Sequence, residues 1–292
     1  MIQVNNLRKS FGKFEALKGI DLTVMKNDIY GFLGHNGAGK STTINILAGI
    51  SRPGSGSCII NGRTINGRLE AGNTGIGYLP EEPSFYTWMT AREFLSYIGS
   101  SWDGKLSARV DEMLEWVGLR KAQNRKIGGY SRGMRQRLGL ATAMFYNPDM
   151  LLLDEPSSAL DPQGRSDVVD MILKLKDEGK TIFLSTHILD DVERVCNKVG
   201  ILAAGEMVAE MELSKLLAMH IFPIYDIVFN NEPQQIELEL LNNSNWIRRV
   251  DINGNIVSVH SESMTDHKIF SLAAKMKTHV QSVSQRKSTL EE

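Results

Sequence analysis

A few short stretches hold the residues whose types and spacing could do chemistry. The first is Gly34-His35-Asn36-Gly37-Ala38-Gly39-Lys40-Ser41, which fits the pattern G-x-x-x-x-G-K-[ST]. Its glycines let the backbone turn so that successive N–H groups face an anion, Lys40 offers a point charge to the β- and γ-phosphates of a nucleotide, and Ser41 can offer its hydroxyl to Mg²⁺. Thr42 follows at once and opens a helix expected over residues 42–48, whose N-terminus points at the same phosphates. The strand-like run Ile29-Tyr30-Gly31-Phe32-Leu33 just before the loop separates the motif from a glycine-rich turn that matches by chance.

Met150-Leu151-Leu152-Leu153 is an apolar run that ends in Asp154 and Glu155. With a phosphate loop upstream, the first carboxylate is the metal candidate and the second the candidate general base for an attacking water. Read alone, the pair could as well be a solvated acidic turn. Leu184-Ser185-Thr186-His187 ends another such run in a histidine that could hydrogen-bond the γ-phosphate and orient that water, although a lone histidine is more often structural. Tyr130-Ser131-Arg132-Gly133-Met134 reads as a turn whose serine caps a following helix.

The elements that must position these residues follow from periodicity. Short apolar or alternating stretches in residues 1–30 suggest an antiparallel β layer leading into the phosphate-loop strand, and residues 57–61 and 74–79 continue the strand pattern. Between about 90 and 146 apolar spacings near three and four predict a helical insert. Strands at 150–153 and 181–184, separated by a helix over 163–178, argue for a mostly parallel sheet with crossover helices, the α/β class. Residues 213–292 read as a separate module: strand 224–229, helix 233–241, strands 246–252 and 255–261, helix 265–276 and strand 279–283. That βαββαβ succession is the ferredoxin-like α+β order, with Asn253-Gly254 as the turn of its central hairpin.

Composition narrows the classes. The chain has 292 residues, 42% of them hydrophobic, and a formal net charge of −1, so it lacks the basic excess of a nucleic-acid-binding protein and no nucleic acid is expected. Cys58 and Cys196 are too few for a disulfide framework and too far apart for a zinc-type spacing, which fits buried core thiols in a reducing cytoplasm. The N-terminus has no signal-peptide pattern, and no apolar run approaches the ~18 residues needed to cross a bilayer, so any membrane role is expected to run through a partner.

Taken in order, these stretches resemble the ATPase subunits of ABC transporters. The resemblance covers about residues 1–212, with a helical subdomain over 90–146, and leaves 213–292 as a C-terminal accessory module. It rests on the phosphate loop, Glu81 after Tyr78-Leu79-Pro80 at the glutamine-loop position, the Ser131 signature, Asp154-Glu155, the loop Ser158-Ala159-Leu160-Asp161, and His187. It implies a phosphate-loop NTPase core of RecA-like type using ATP and Mg²⁺, with Ser41, Glu81 and Asp154 near the metal, Glu155 and His187 catalytic, and Phe11 against the adenine; a core phenylalanine is the alternative for Phe11. It further implies that two such subunits, alike or different, pair head to tail, so that Ser131, Arg132, Gly133 and Met134 of one complete the ATP site of the other, with Asp161 at the seam. The family's usual signature is Leu-Ser-Gly-Gly-Gln; here a cation, Arg132, enters and the amide is lost, and Glu81 replaces glutamine. Both variants look like those of drug- and sodium-export ATPases, whose permeases are separate membrane proteins, which puts the expected location at the cytoplasmic face of the membrane. An uptake system for a small neutral metabolite, and a soluble ATPase of translation or DNA repair, are the alternatives.

Overall fold

The computed structural model describes residues 2–67, 75–158, 160–219, 224–261, 266–276 and 278–285. Thr74, Ala159 and Thr265, each part of an expectation above, lie outside them. By its internal contacts the chain divides into a unit spanning residues 1–213 and a second spanning 214–292.

The first unit begins with a long hairpin, β1 (Ile2–Phe11) and β2 (Phe14–Val24), followed by the buried strand β3 (Ile29–Leu33) and helix α1 (Lys40–Leu47). After these come β4 (Ser55–Ile60), the short β5 (Arg63–Thr64) and β6 (Ile76–Leu79). Three helices form the expected insert: α2 (Ala91–Ile98), α3 (Leu106–Trp116) and α4 (Arg132–Met144). The chain then alternates through β7 (Met150–Asp154), α5 (Pro162–Asp177), β8 (Thr181–Thr186) and α6 (Leu189–Val195), and ends the unit with β9 (Lys198–Ala203) and β10 (Glu206–Glu212).

Two sheets result. The antiparallel one runs β2-β1-β4-β5, and the larger one runs β10-β9-β3-β8-β7-β6, parallel except where β10 turns back along β9. Every residue of β3, β7 and β8 is buried, which is why they read as unbroken apolar runs rather than alternating ones: a parallel strand covered on both faces has no solvent side. Their side chains meet those of β1, β2 and α1 in one core, where Ile2, Leu22, Tyr30, Phe32, Ile44 and Phe183 are among the buried members. Tyr30 and Phe183 stack there with centroids 5.3 Å apart. Register then does the positioning: Leu33 lies opposite Thr186 and Asp154 opposite Ser185, so the carboxyl ends of the three central strands converge. Open α/β sheets bind ligands at that edge.

In the helical insert, Thr90 caps α2 through a capping box with Glu93. Buried Arg109 of α3 donates to the carbonyls of Met144 and Phe145, each at 2.8 Å, placing a cation at the electronegative end of α4.

The second unit opens with α7 (Leu213–Met219), which begins on the last residue of the first, and continues through β11 (Ile224–Phe229), α8 (Gln235–Asn242), β12 (Ile247–Asn253), β13 (Ile256–Ser261), α9 (Asp266–Ala273) and β14 (Val280–Gln285). Its sheet order, β12-β13-β11-β14, is wholly antiparallel and is the ferredoxin-like arrangement. Alternate residues of the central strands, Tyr225, Ile227 and Phe229 with Val257 and Val259, join Leu241 and Ile269 in a separate core. The hairpin turn lies one residue later than the Asn-Gly signal suggests. Asn253 pairs with Ile256, so the turn residues are Gly254 and Asn255, with Gly254 at φ +58°. In this register Val257 and Val259 face the core.

Candidate active site

At the convergent strand ends, residues 34–39 form a loop between β3 and α1. Gly39 precedes the helix with φ +114°, and a Cβ there would stand 2.9 Å from the Ala16 carbonyl, so both conformation and space demand glycine. No side chain caps α1, which leaves its first N–H groups to face a ligand. The loop is tied from outside, because Gly205 donates to the Ala38 carbonyl at 3.0 Å and Lys18 donates to the Gly205 carbonyl at 2.9 Å. It is also closed from inside: the Lys40 ammonium donates to the Gly34 carbonyl at 2.7 Å and the His35 carbonyl at 3.3 Å.

Lys40 also faces the acids. Its Nζ lies 3.2 Å from Glu155 Oε1, with both side chains only 5% exposed, and the other carboxylate oxygen, Oε2, lies 2.9 Å from His187 Nδ1. A carboxylate so buried is tolerable only with such partners. Glu155 holds φ +47°, a left-handed conformation that costs a residue with a Cβ about 1–2 kcal/mol and is kept where neighbouring contacts fix it. The upstream contact is Ser185: the Glu155 N–H donates to both its carbonyl and its hydroxyl at 3.1 Å.

The same Ser185 hydroxyl donates to Asp154 Oδ1 at 2.5 Å, and Ser41 donates to that oxygen at 3.3 Å. Burial pushes the Asp154 carboxyl above its ordinary pKa, and the neighbouring Glu155 charge pushes the same way, against the hydrogen bonds from Ser185 and Ser41 and the charge of Lys40. Nearby Tyr78, whose hydroxyl donates to Asn45 at 3.0 Å, is pushed up to about 12, mainly by burial and then by Asp154.

The expected residues distribute unevenly. Phe11, Asn36, Gly37, Gly39, Lys40, Ser41, Thr42, Glu81, Glu155 and His187 line one cleft of about 400 Å³. His35 and Gly34 line an adjoining, more apolar hollow with Leu189 and Ile201, and Ala38 is buried behind the loop. Asp154 lies beneath the cleft, reached through Ser41. The signature residues are not among the cleft's lining. Ser131 caps α4 by accepting from the Met134 N–H at 3.2 Å, with Gly133 in the helix's first turn. Arg132 faces Glu82 at 3.5 Å and borders, with Glu81, a second hollow of about 290 Å³. Asp161 caps α5 by accepting from the Gly164 N–H at 3.1 Å.

Ser185, Phe14 and the cleft-lining Ala16 escaped the sequence reading of the site. Ser185 is fully buried and joins both acids; its signal was a hydroxyl inside an apolar strand. Phe14 pairs with Phe11 across the Gly12-Lys13 turn and lines the same cleft, and the turn-forming glycine was its only mark. The arrangement can hold a polyphosphate at the loop, set oxygen donors behind it, and present a carboxylate and an imidazole to its far end.

Comparison with known proteins gives the same answer by another route. The family model described as "ABC transporter" matches residues 17–158. An uncharacterized ABC transporter ATP-binding protein of Bacillus subtilis is 46% identical over 220 residues, covering 74% of this chain and 72% of the relative. The bacitracin transport ATP-binding protein of Enterococcus faecalis is 36% identical, covering 74% of this chain and 70% of the relative. The linearmycin resistance ATP-binding protein of Bacillus subtilis is 35% identical, covering 72% and 68%. Among solved structures, an ATP-binding cassette dimer in a post-hydrolysis state with ADP and Pi matches at a TM-score of 0.66 and 26% identity, over 73% of this chain and 99% of that one. With a phosphate loop closed over two buried acids, and relatives that share its sequence along most of their length, the chain belongs to the ABC transporter family as one of its ATP-binding, ATP-hydrolysing subunits.

Proposed function

We propose that this subunit pairs head to tail with a second ATPase subunit, hydrolyses ATP at composite sites, and drives a separately encoded membrane permease that exports a small molecule or drug. One observation carries the reading: Lys40, Glu155 and His187 meet within 3.2 Å at the end of the phosphate-loop cleft, while Ser131 stands outside that cleft. A loop and a base on one subunit then receive the signature of another, with Asp161 at the seam. The names of the bacitracin and linearmycin relatives favour the outward direction.

In this mechanism Phe11 meets the adenine face, the loop N–H groups and Thr42 hold the phosphates, and Lys40 steadies the β- and γ-phosphate charge. The residues suit Mg²⁺: Ser41 and Asp154 offer oxygen only, and Asp154 is a buried carboxylate whose raised pKa a cation would lower. Glu81 borders the cleft and can add an oxygen directly or through water. Bound there, the ion would neutralise developing charge on the phosphates. Glu155 accepts the proton of the attacking water, and His187, held at Glu155 Oε2, orients both. Among the described residues no helix is long and apolar enough to cross a membrane, so the proposed place at the cytoplasmic face depends on the permease.

Glu155→Gln is expected to keep ATP binding and to lower turnover at least about a hundredfold, as removal of a general base does. Turnover equal to the native chain would remove Glu155 from this role. Purification from detergent-solubilised membranes should recover a polytopic partner; ribosomal proteins or DNA in its place would overturn the transport reading.

A further inference from the structure

Glu155 and His187 come from the ends of different strands, β7 and β8, yet their side chains meet at 2.9 Å. Ser185 holds Glu155 on its upstream side. On the downstream side the chain runs through Pro156 to Ser157, which is 3% exposed and donates its hydroxyl to Asp191 Oδ2. Asp191 belongs to α6, which starts two residues after His187, and is itself only 3% exposed. Its other oxygen accepts from Arg165 Nε of α5 at 2.7 Å, while Arg165 Nη2 donates to Asp190 at 2.9 Å. A single buried carboxylate thus ties the segment leaving Glu155 to the helix leaving His187.

We propose that Asp191 is a positioning residue for hydrolysis: through Ser157 and Arg165 it fixes the downstream flank of Glu155 and sets the Glu155–His187 pair at working distance. The inference rests on the hydrolytic role proposed above for Glu155. A left-handed residue persists where its surroundings over-determine it. Ser185 holds the Glu155 N–H, and downstream the Ser158 N–H donates to the Glu155 carbonyl at 3.1 Å in the same segment that Ser157 ties to Asp191. A buried carboxylate holding a hydroxyl and a guanidinium together is stiff, because letting go leaves a desolvated charge. Among the described residues the hydrogen bonds and ion pairs of Asp191 go to Ser157 and Arg165 and not to the phosphate loop, so its loss should act on the chemical step rather than on nucleotide capture.

The test uses the full-length chain and the variants Ser157→Ala, Ser157→Thr and Asp191→Asn, with steady-state ATP turnover normalised to the nucleotide-binding fraction of each preparation. S157A and D191N are expected to lower kcat about tenfold or more with KM for ATP within about twofold, the split that marks loss of an interaction used after binding. S157T, which restores the hydroxyl, should recover most of the native kcat. S157A removes one atom and leaves the Arg165–Asp191 pair in place, so it reports even where D191N fails to fold. The proposal is overturned if S157A turns over like the native chain, if S157T is as slow as S157A, or if KM rises in step with the fall in kcat. A native chain in which E155Q costs no turnover overturns the role of Glu155 as well, which separates the two failures.

Discussion

Asp154 carries two opposed demands. Burial raises its pKa, so between the ordinary carboxylate value of about 3.9 and the raised one the folded chain holds a proton that the unfolded chain has lost. Stability attributable to this group therefore falls as pH rises through that window and stays reduced above it. Asp154→Asn removes the ionisation, and its melting temperature in chelator should exceed the native value by more at pH 7.5 than at pH 4, while Mg²⁺-dependent turnover is lost. A difference in melting temperature that does not change with pH would show that burial of this charge is not what costs stability. At this scale the sequence was informative wherever spacing along the chain equals spacing in space: Gly34 to Thr42 are consecutive, and Asp154 and Glu155 end a strand together. Ser185 and Asp191 were illegible, since their importance depends on which residue of β8 falls opposite Asp154 and on how α5 meets α6.

Helix and strand identities followed from local rules, and the elements obey them. Thr90 and Glu93 bond reciprocally across the first turn of α2, with the Thr90 N–H donating to Glu93 at 2.7 Å and the Glu93 N–H donating to Thr90 at 3.2 Å. That bond from the Thr90 N–H, then the one with its side chain, lowers the Glu93 pKa, so the box weakens as pH falls through the depressed value. Thr90→Ala should cost about 1 kcal/mol in a urea titration, the usual loss for an N-cap, with ATP turnover little changed. Coincident urea midpoints would show that α2 is held by packing alone. The hairpin of β12 and β13 shows where local rules yield: Asn253-Gly254 is the stronger turn signal, yet Asn253 pairs with Ile256 and the turn falls on Gly254 and Asn255.

For the molecule as a whole, residues 1–213 contain every residue of the proposed ATP site, and 214–292 carry a core of their own. We expect calorimetry to show a transition raised by nucleotide and another that is not. Phe229→Ala empties part of the second core and should lower the second transition by an amount equivalent to about 3–5 kcal/mol, leaving the nucleotide-dependent shift intact. If nucleotide raised both transitions together, the two cores would have to be treated as one cooperative structure. The purpose of the C-terminal module was not legible: its ferredoxin-like order shows in the strand pattern, but its described core is aliphatic and aromatic and holds no residue of the proposed site.

Glu155 is where folding and work part company. With φ at +47°, the backbone there would favour glycine or asparagine over any longer side chain. Selection for stability alone would favour a residue more at ease with that backbone, set against the buried contacts with Lys40 and His187. On the role proposed for it above, the glutamate is a residue retained for use: at position 155 the fold would be kept slightly worse than it could be, for the sake of turnover.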